Sequence, residues 1–127
     1  MERIKLKQED AKRAIDTLTD ILEETYSVIV RDATIQRFEY SFEALWKYCK
    51  EYLRENEGIA INSPKKCFRE LFSLGLLSDE ETVKCLEMTD RRNDTSHTYK
   101  EKVADDIFNI VKNEYANLMK QLLNRLE

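Results

Sequence analysis

Two glycines and one proline, Gly58, Gly75 and Pro64, are all the backbone breakers this chain carries in 127 residues. Turns and irregular connections draw heavily on these two residue types, so a count this low points to long helices and few turns. The apolar positions agree with that. Ala11, Ala14, Ile15, Leu18, Ile21 and Leu22 recur at helical spacing and predict a first helix over about 6–25. Ile35, Phe38, Phe42, Leu45, Cys49 and Tyr52 step by threes and fours, predicting a second over about 32–56 that Gly58 closes. Ser63-Pro64 has the look of an N-cap followed by proline at the first helical position. The helix it opens has Cys67, Phe68, Leu71 and Leu74 as its expected buried side and stops at Gly75. Ser78-Asp79-Glu80-Glu81 has capping-box spacing, and Val83 and Leu86 mark the apolar side of the helix that follows. A last helix is expected over about 102–126. The predicted fold is all-α: one domain, 1–127, built as an antiparallel up-and-down bundle of four to five helices.

Composition narrows the function. Apolar residues make up 42%, enough for a single core. Acidic residues outnumber basic ones 25 to 21, a formal net charge of -4, which argues against clamping duplex DNA by bulk charge but leaves room for a local basic site. Cys49, Cys67 and Cys85 are far apart, and one histidine cannot complete a zinc set with them. Buried, reduced thiols in a cytoplasmic protein are expected, with neither metal nor cofactor. No apolar run reaches the roughly 20 residues of a membrane span, and the charged start does not read as a signal peptide. There is no glycine-rich phosphate loop, no GxSxG elbow and no cysteine beside an activating histidine.

The chemistry concentrates in Arg91-Arg92-Asn93-Asp94-Thr95-Ser96-His97-Thr98-Tyr99, which holds the only histidine. Histidine ordinarily exchanges protons near neutrality, and arginine offers a fork of donors suited to phosphate oxygens. Five positions on a helix amount to about 140° of rotation, so Arg92 and His97 would not share a face unless the helix breaks between them. The run Asn93-Asp94-Thr95-Ser96 favours local side-chain to backbone bonds, so a bend or end is expected here. The competing reading is a surface histidine just past a helix C-terminus, where positive charge is welcome. On the second helix Glu39, Glu43 and Lys47 stand four apart. They form either a solvated ladder of Glu-to-Lys pairs or a group facing the histidine site. The aromatics of that helix, among them Tyr40, Trp46 and Tyr48, cannot all point inward, which suggests a covered partner surface and a homodimer.

Three ordered segments carry a resemblance across nearly the whole chain. They are Ile35 through Lys47, Gly58 through Leu77 with Ser63-Pro64-Lys65 and Phe68-Arg69-Glu70, and Arg92 through Tyr99, which fits Arg-x4-His-x-Tyr without a gap. The chain resembles HEPN domains (higher eukaryotes and prokaryotes nucleotide-binding), and among them the nucleotidyltransferase substrate-binding proteins. That resemblance implies a dimer with two Arg/His motifs meeting in a cleft, and a metal-independent ribonuclease toxin paired with a minimal nucleotidyltransferase antitoxin. It implies that Arg92 and His97 are catalytic, that Asn93 and Arg91 bind substrate, and that Tyr99 is the tyrosine to which the antitoxin attaches AMP. The older family name implies a different protein, a non-catalytic subunit that holds a nucleotide or substrate for the transferase. A plain helical dimerisation module with a degenerate site is the third possibility.

Overall fold

The structure, a computed structural model, describes residues 2–127 and has five helices and no strand among them. Helix α1 covers Glu2–Ile21 and α2 Val28–Glu57. Helix α3 is Pro64–Ser73, and α4 is Asp79–Asp94, continued by a 3-10 turn Thr95–His97. The last helix, α5, runs over 101–125 as two α-helical stretches, Glu101–Ile110 and Ala116–Arg125, joined by a π-helical turn Val111–Tyr115. Helix α2 is the central element: α1 packs along it most extensively, and it touches α3, α4 and both halves of α5. None of the five is long and apolar enough to cross a membrane.

The ends of the helices follow local chemistry. Ser27 caps α2, its hydroxyl accepting from the Val30 amide at 3.0 Å, so the helix begins four residues before the position its apolar stripe suggests. Three β-branched residues, Val28, Ile29 and Val30, make up its first turn, and their poor helix propensity hid that start. At the other end Gly58 takes φ 66°, the left-handed conformation open to glycine, and its amide returns to the Arg54 carbonyl at 3.2 Å. Pro64 opens α3 as expected, although the Ser63 side chain makes no cap bond. The capping box of α4 is complete: the Ser78 hydroxyl accepts from the Glu81 amide at 3.1 Å, and the Ser78 amide donates to the Glu81 carboxylate at 2.9 Å.

The core draws on all five helices, with Ile15 and Leu18 of α1 buried beside Phe38, Phe42, Phe68, Leu71, Met88 and Ile107. The π turn swings Tyr115 inward, where it is fully buried and stacked on Phe38 with ring centroids 6.0 Å apart. Cys49, Cys67 and Cys85 are free thiols inside this core. Two expected core positions prove otherwise. Val83 is 54% exposed and Leu74 38%, because α3 and α4 each turn one narrow strip inward, Cys67, Phe68 and Leu71 on α3 and Thr82, Cys85, Met88 and Thr89 on α4. Of the three aromatics in question on α2, Tyr48 is buried, Trp46 half-buried and Tyr40 41% exposed, its hydroxyl 2.5 Å from that of Thr17.

One charged side chain fixes the start of α5. Arg31, in the first turn of α2, is only 3% exposed and pairs with Glu101 at 2.6 Å, Asp105 at 3.0 Å and Asp32 at 3.0 Å. The three carboxylates raise its pKa further, Glu101 most of all. The Tyr26 hydroxyl adds a long bond to Asp105 at 3.4 Å. Helix α5 is thus held directly after the short connection that follows His97.

Candidate functional site

Helix α4 ends where its sequence turns to Asn93-Asp94-Thr95-Ser96. The Thr95 hydroxyl reaches the Arg92 carbonyl at 2.7 Å, Ser96 reaches that of Asn93 at 3.3 Å, and Thr98 that of Thr95 at 3.1 Å. These short side-chain bonds compete with α-helical spacing and tighten the chain into the 3-10 turn that carries His97. Lys100 is extended, with φ -85° and ψ 117°, and α5 starts at the next residue. The two helices therefore meet in a corner with the motif at its apex.

Inside that corner is a cleft of about 460 Å³. Arg91, Asp94, His97 and Lys100 line one side, and Val103, Asp106, Ile107 and Ile110 of α5 line the other. A cleft of this volume lies within the range that small-molecule ligands occupy. Arg91 is exposed and pairs with Asp94 at 2.9 Å. His97 is exposed, with its ring edge-on to that of Tyr99, centroids 6.1 Å apart. Tyr99 is 74% exposed, with the Lys100 ammonium 5.9 Å from its ring centre.

Arg92 points elsewhere. It is half-buried and turned toward α2, with Nη1 3.1 Å from the Thr95 hydroxyl oxygen and 3.5 Å from Glu39 Oε2. Its Nε lies 3.7 Å from Glu43 Oε1, is buried, and makes no hydrogen bond among the described residues. Thr95 stands between the helices, its hydroxyl 3.0 Å from Glu39 Oε2. The expected ladder on α2 is therefore replaced by a pair of carboxylates facing Arg92, while Lys47 stays exposed and pairs with neither. Glu39 and Glu43 serve the arginine of the motif, not the histidine.

The five residues singled out from the sequence thus divide. Arg91 and His97 share the cleft, Tyr99 stands at its edge, and Arg92 faces α2. Asn93 is exposed, and no hydrogen bond joins its side chain to His97 among the described residues. Thr95, Asp106 and the apolar strip Val103, Ile107 and Ile110 complete the site, although the motif spacing gives no sign of them. The four-residue step from Glu39 to Glu43 showed that both share a face, but which neighbour that face meets is a tertiary matter.

Residues 6–127 match the family described as "Nucleotidyltransferase substrate binding protein like". Among solved structures, a protein from Thermus thermophilus is 47% identical, with a TM-score of 0.87 over 92% of this chain and 98% of that one. A toxin–antitoxin with AMP-PNP is 17% identical, TM-score 0.76, over 98% of this chain and 97% of that one. A tri-AMPylated Shewanella oneidensis HEPN toxin in complex with MNT antitoxin is 19% identical, TM-score 0.76, over 96% and 94%. At those identities the last two show a shared fold. No curated protein is significantly similar to the chain.

Proposed function

The chain belongs to the nucleotidyltransferase substrate-binding-protein-like family, and from that premise we propose that it is a HEPN-type, metal-independent RNA endonuclease, the toxin subunit of a pair whose antitoxin is a minimal nucleotidyltransferase. The observation that carries this reading is the corner at the end of α4, where an exposed His97 shares a nucleotide-sized cleft with Arg91 and Lys100, and Arg92 stands one turn earlier. The pairing is supported by two structures of shared fold, described respectively as a toxin–antitoxin and as an AMPylated HEPN toxin with MNT antitoxin.

In the proposed reaction His97 takes the proton of a ribose 2′-hydroxyl as that oxygen attacks the neighbouring phosphorus. The new 2′-O–P bond forms, the P–O5′ bond breaks, and a proton returned to the 5′-oxygen completes the leaving group. Arg92 stabilises the charge that builds on the phosphate oxygens. Because Arg92 and His97 of one chain face different ways, a two-fold arrangement of two chains is the economical way to set both around one phosphate, and the second copy's histidine supplies the returned proton. Tyr99, 74% exposed and two residues past His97, is open to a transferase and is the hydroxyl on which AMP would block the site. The proposed setting is cytoplasmic.

A second reading has one observation in its favour. Glu39 and Glu43 already neutralise Arg92, as suits a subunit that presents a nucleotide or its own tyrosine to the transferase and cuts nothing. RNA cleavage with chelator present, by protein freed of its partner, separates the two. Cleavage by the wild type and a loss of about a hundredfold or more in His97→Ala and Arg92→Ala is expected. Equal cleavage by wild type and both variants overturns the nuclease assignment, and complex formation with no cleavage at all supports the second reading.

A further inference from the structure

The cleft has features that proton transfer does not use, and they bear on what it holds; the inference rests on the reading of this chain as an RNA-acting subunit. Val103, Ile107 and Ile110 lie four and then three residues apart on α5, so they share one apolar face along the cleft wall, with Val103 and Ile110 partly open and Ile107 buried behind them. Asp106 sits on the same face. It is 63% exposed, and among the described residues only its Oδ2 is engaged, by Lys102 at 3.3 Å. Across from the strip, Arg91 commits Nη1 to Asp94 and keeps the rest of its fork of donors. Lys100 forms no ion pair among the described residues; its ammonium lies over the Tyr99 ring.

An apolar strip, free cationic donors and a free carboxylate oxygen within about 460 Å³ must be matched by one occupant. The face of another protein covering the cleft would desolvate Arg91, Asp94, Lys100 and Asp106 around three apolar side chains, a poor exchange because interface cores are depleted of charge. A nucleotide matches all three features. Its phosphate suits Arg91 and Lys100, its flat base suits the strip, and an exocyclic amine suits a carboxylate that can only accept. A base stacked within a duplex cannot descend between two helices, so the nucleotide must be unpaired.

We propose that this cleft seats one unpaired nucleotide of the RNA strand, its base on Val103 and Ile110 and its phosphate at Arg91 and Lys100, with Asp106 accepting from an exocyclic amine. Adenine, cytosine and guanine offer that amine. Uracil has no exocyclic amine, and its one donor on that edge, N3–H, is flanked by two carbonyl oxygens that repel a carboxylate, so it is disfavoured.

Methyl NMR titration of the full chain with 5′-AMP, 5′-UMP and ribose 5-phosphate tests this. AMP is expected to move the Val103 and Ile110 signals and to bind about fivefold more tightly than UMP or ribose 5-phosphate, the ratio expected of one exposed hydrogen bond plus a buried base face. In Asp106→Asn, AMP and UMP should bind within about twofold of each other, because an amide can face either edge. Silent methyl signals, equal binding of AMP and ribose 5-phosphate, or an unchanged ratio in Asp106→Asn each overturn the proposal. So do strip signals that follow protein concentration and ignore nucleotide, which assign the cleft to a second copy. Cleavage of RNA with silent methyls removes this inference and leaves the nuclease reading; AMP binding without cleavage does the reverse.

Discussion

Arg92 is the residue whose surroundings alter its expected role most. From the sequence, a helix break would let Arg92 converge on His97, whereas the structure sets it against Glu39 at 3.5 Å and Glu43 at 3.7 Å. The two carboxylates act differently. Glu39 shares the Thr95 hydroxyl with Arg92 and so helps fix the guanidinium, while Glu43 sets Oε1 near the buried Nε without a hydrogen bond to it, its Oε2 accepting from the Trp46 indole at 3.2 Å, and contributes charge. Phosphate approaching Arg92 therefore meets a repulsive neighbour in Glu43. Glu43→Gln is expected to tighten binding of a 2′-deoxy, uncleavable oligonucleotide about threefold at low salt, an advantage that fades as salt screens it. Fluorescence anisotropy measures this, and weaker or unchanged binding would show that Glu43 does not oppose the substrate. Of this site, the sequence made legible the residues of the motif and the break after Asp94, because both are local. The direction Arg92 faces was not legible, since it depends on α2.

Helix α4 is an element whose start is braced from outside. Its capping-box carboxylate, Glu81, accepts from Arg125 at the far end of α5 at 2.7 and 2.8 Å, and the same guanidinium reaches the Leu76 carbonyl at 3.0 Å. The Arg125 bonds, and then those from Ser78, hold the Glu81 carboxyl down at about 2. A carboxyl whose pKa is depressed on folding stabilises the fold fully above its ordinary value and loses that contribution as pH falls toward the depressed one. Glu81→Gln is therefore expected to cost about 2 kcal/mol at pH 7, less than the shift alone implies because the pair is partly open to solvent. The difference from wild type should shrink below about pH 4.5 and close near pH 2. Urea unfolding of both proteins across that range reads it; a gap independent of pH would mean that the charge of Glu81 is not what braces the helix. The box itself was readable in Ser78-Asp79-Glu80-Glu81, but its third partner lies 44 residues away and was not. The π turn of α5 was equally hidden, because it exists to turn Tyr115 onto Phe38, a contact between helices.

At the scale of the whole molecule the interior is closed around its thiols. Burial pushes the Cys85 thiol up to about 12, and the neighbouring Cys67 thiol together with burial pushes Cys49 well above its ordinary value. Native protein should therefore resist an aromatic disulfide reagent at least about a thousandfold better than the unfolded chain, with the rate rising along the unfolding curve. Prompt reaction of even one thiol in the native state would show that the core opens locally. The sequence by itself determined the helical class, the helix starts to within about four residues, the cap positions Ser63, Ser78 and Gly58, and the place of the motif. Those depend on periodicity, propensity and bonds between residues a few positions apart. Only the tertiary structure decided that Arg31 anchors α5, that Val83 and Leu74 stay exposed, that Arg92 faces carboxylates, and that an apolar strip closes the cleft beside His97. Each of these is set by which helix faces come together, and a single chain's periodicity says which side of a helix is apolar without saying what it meets.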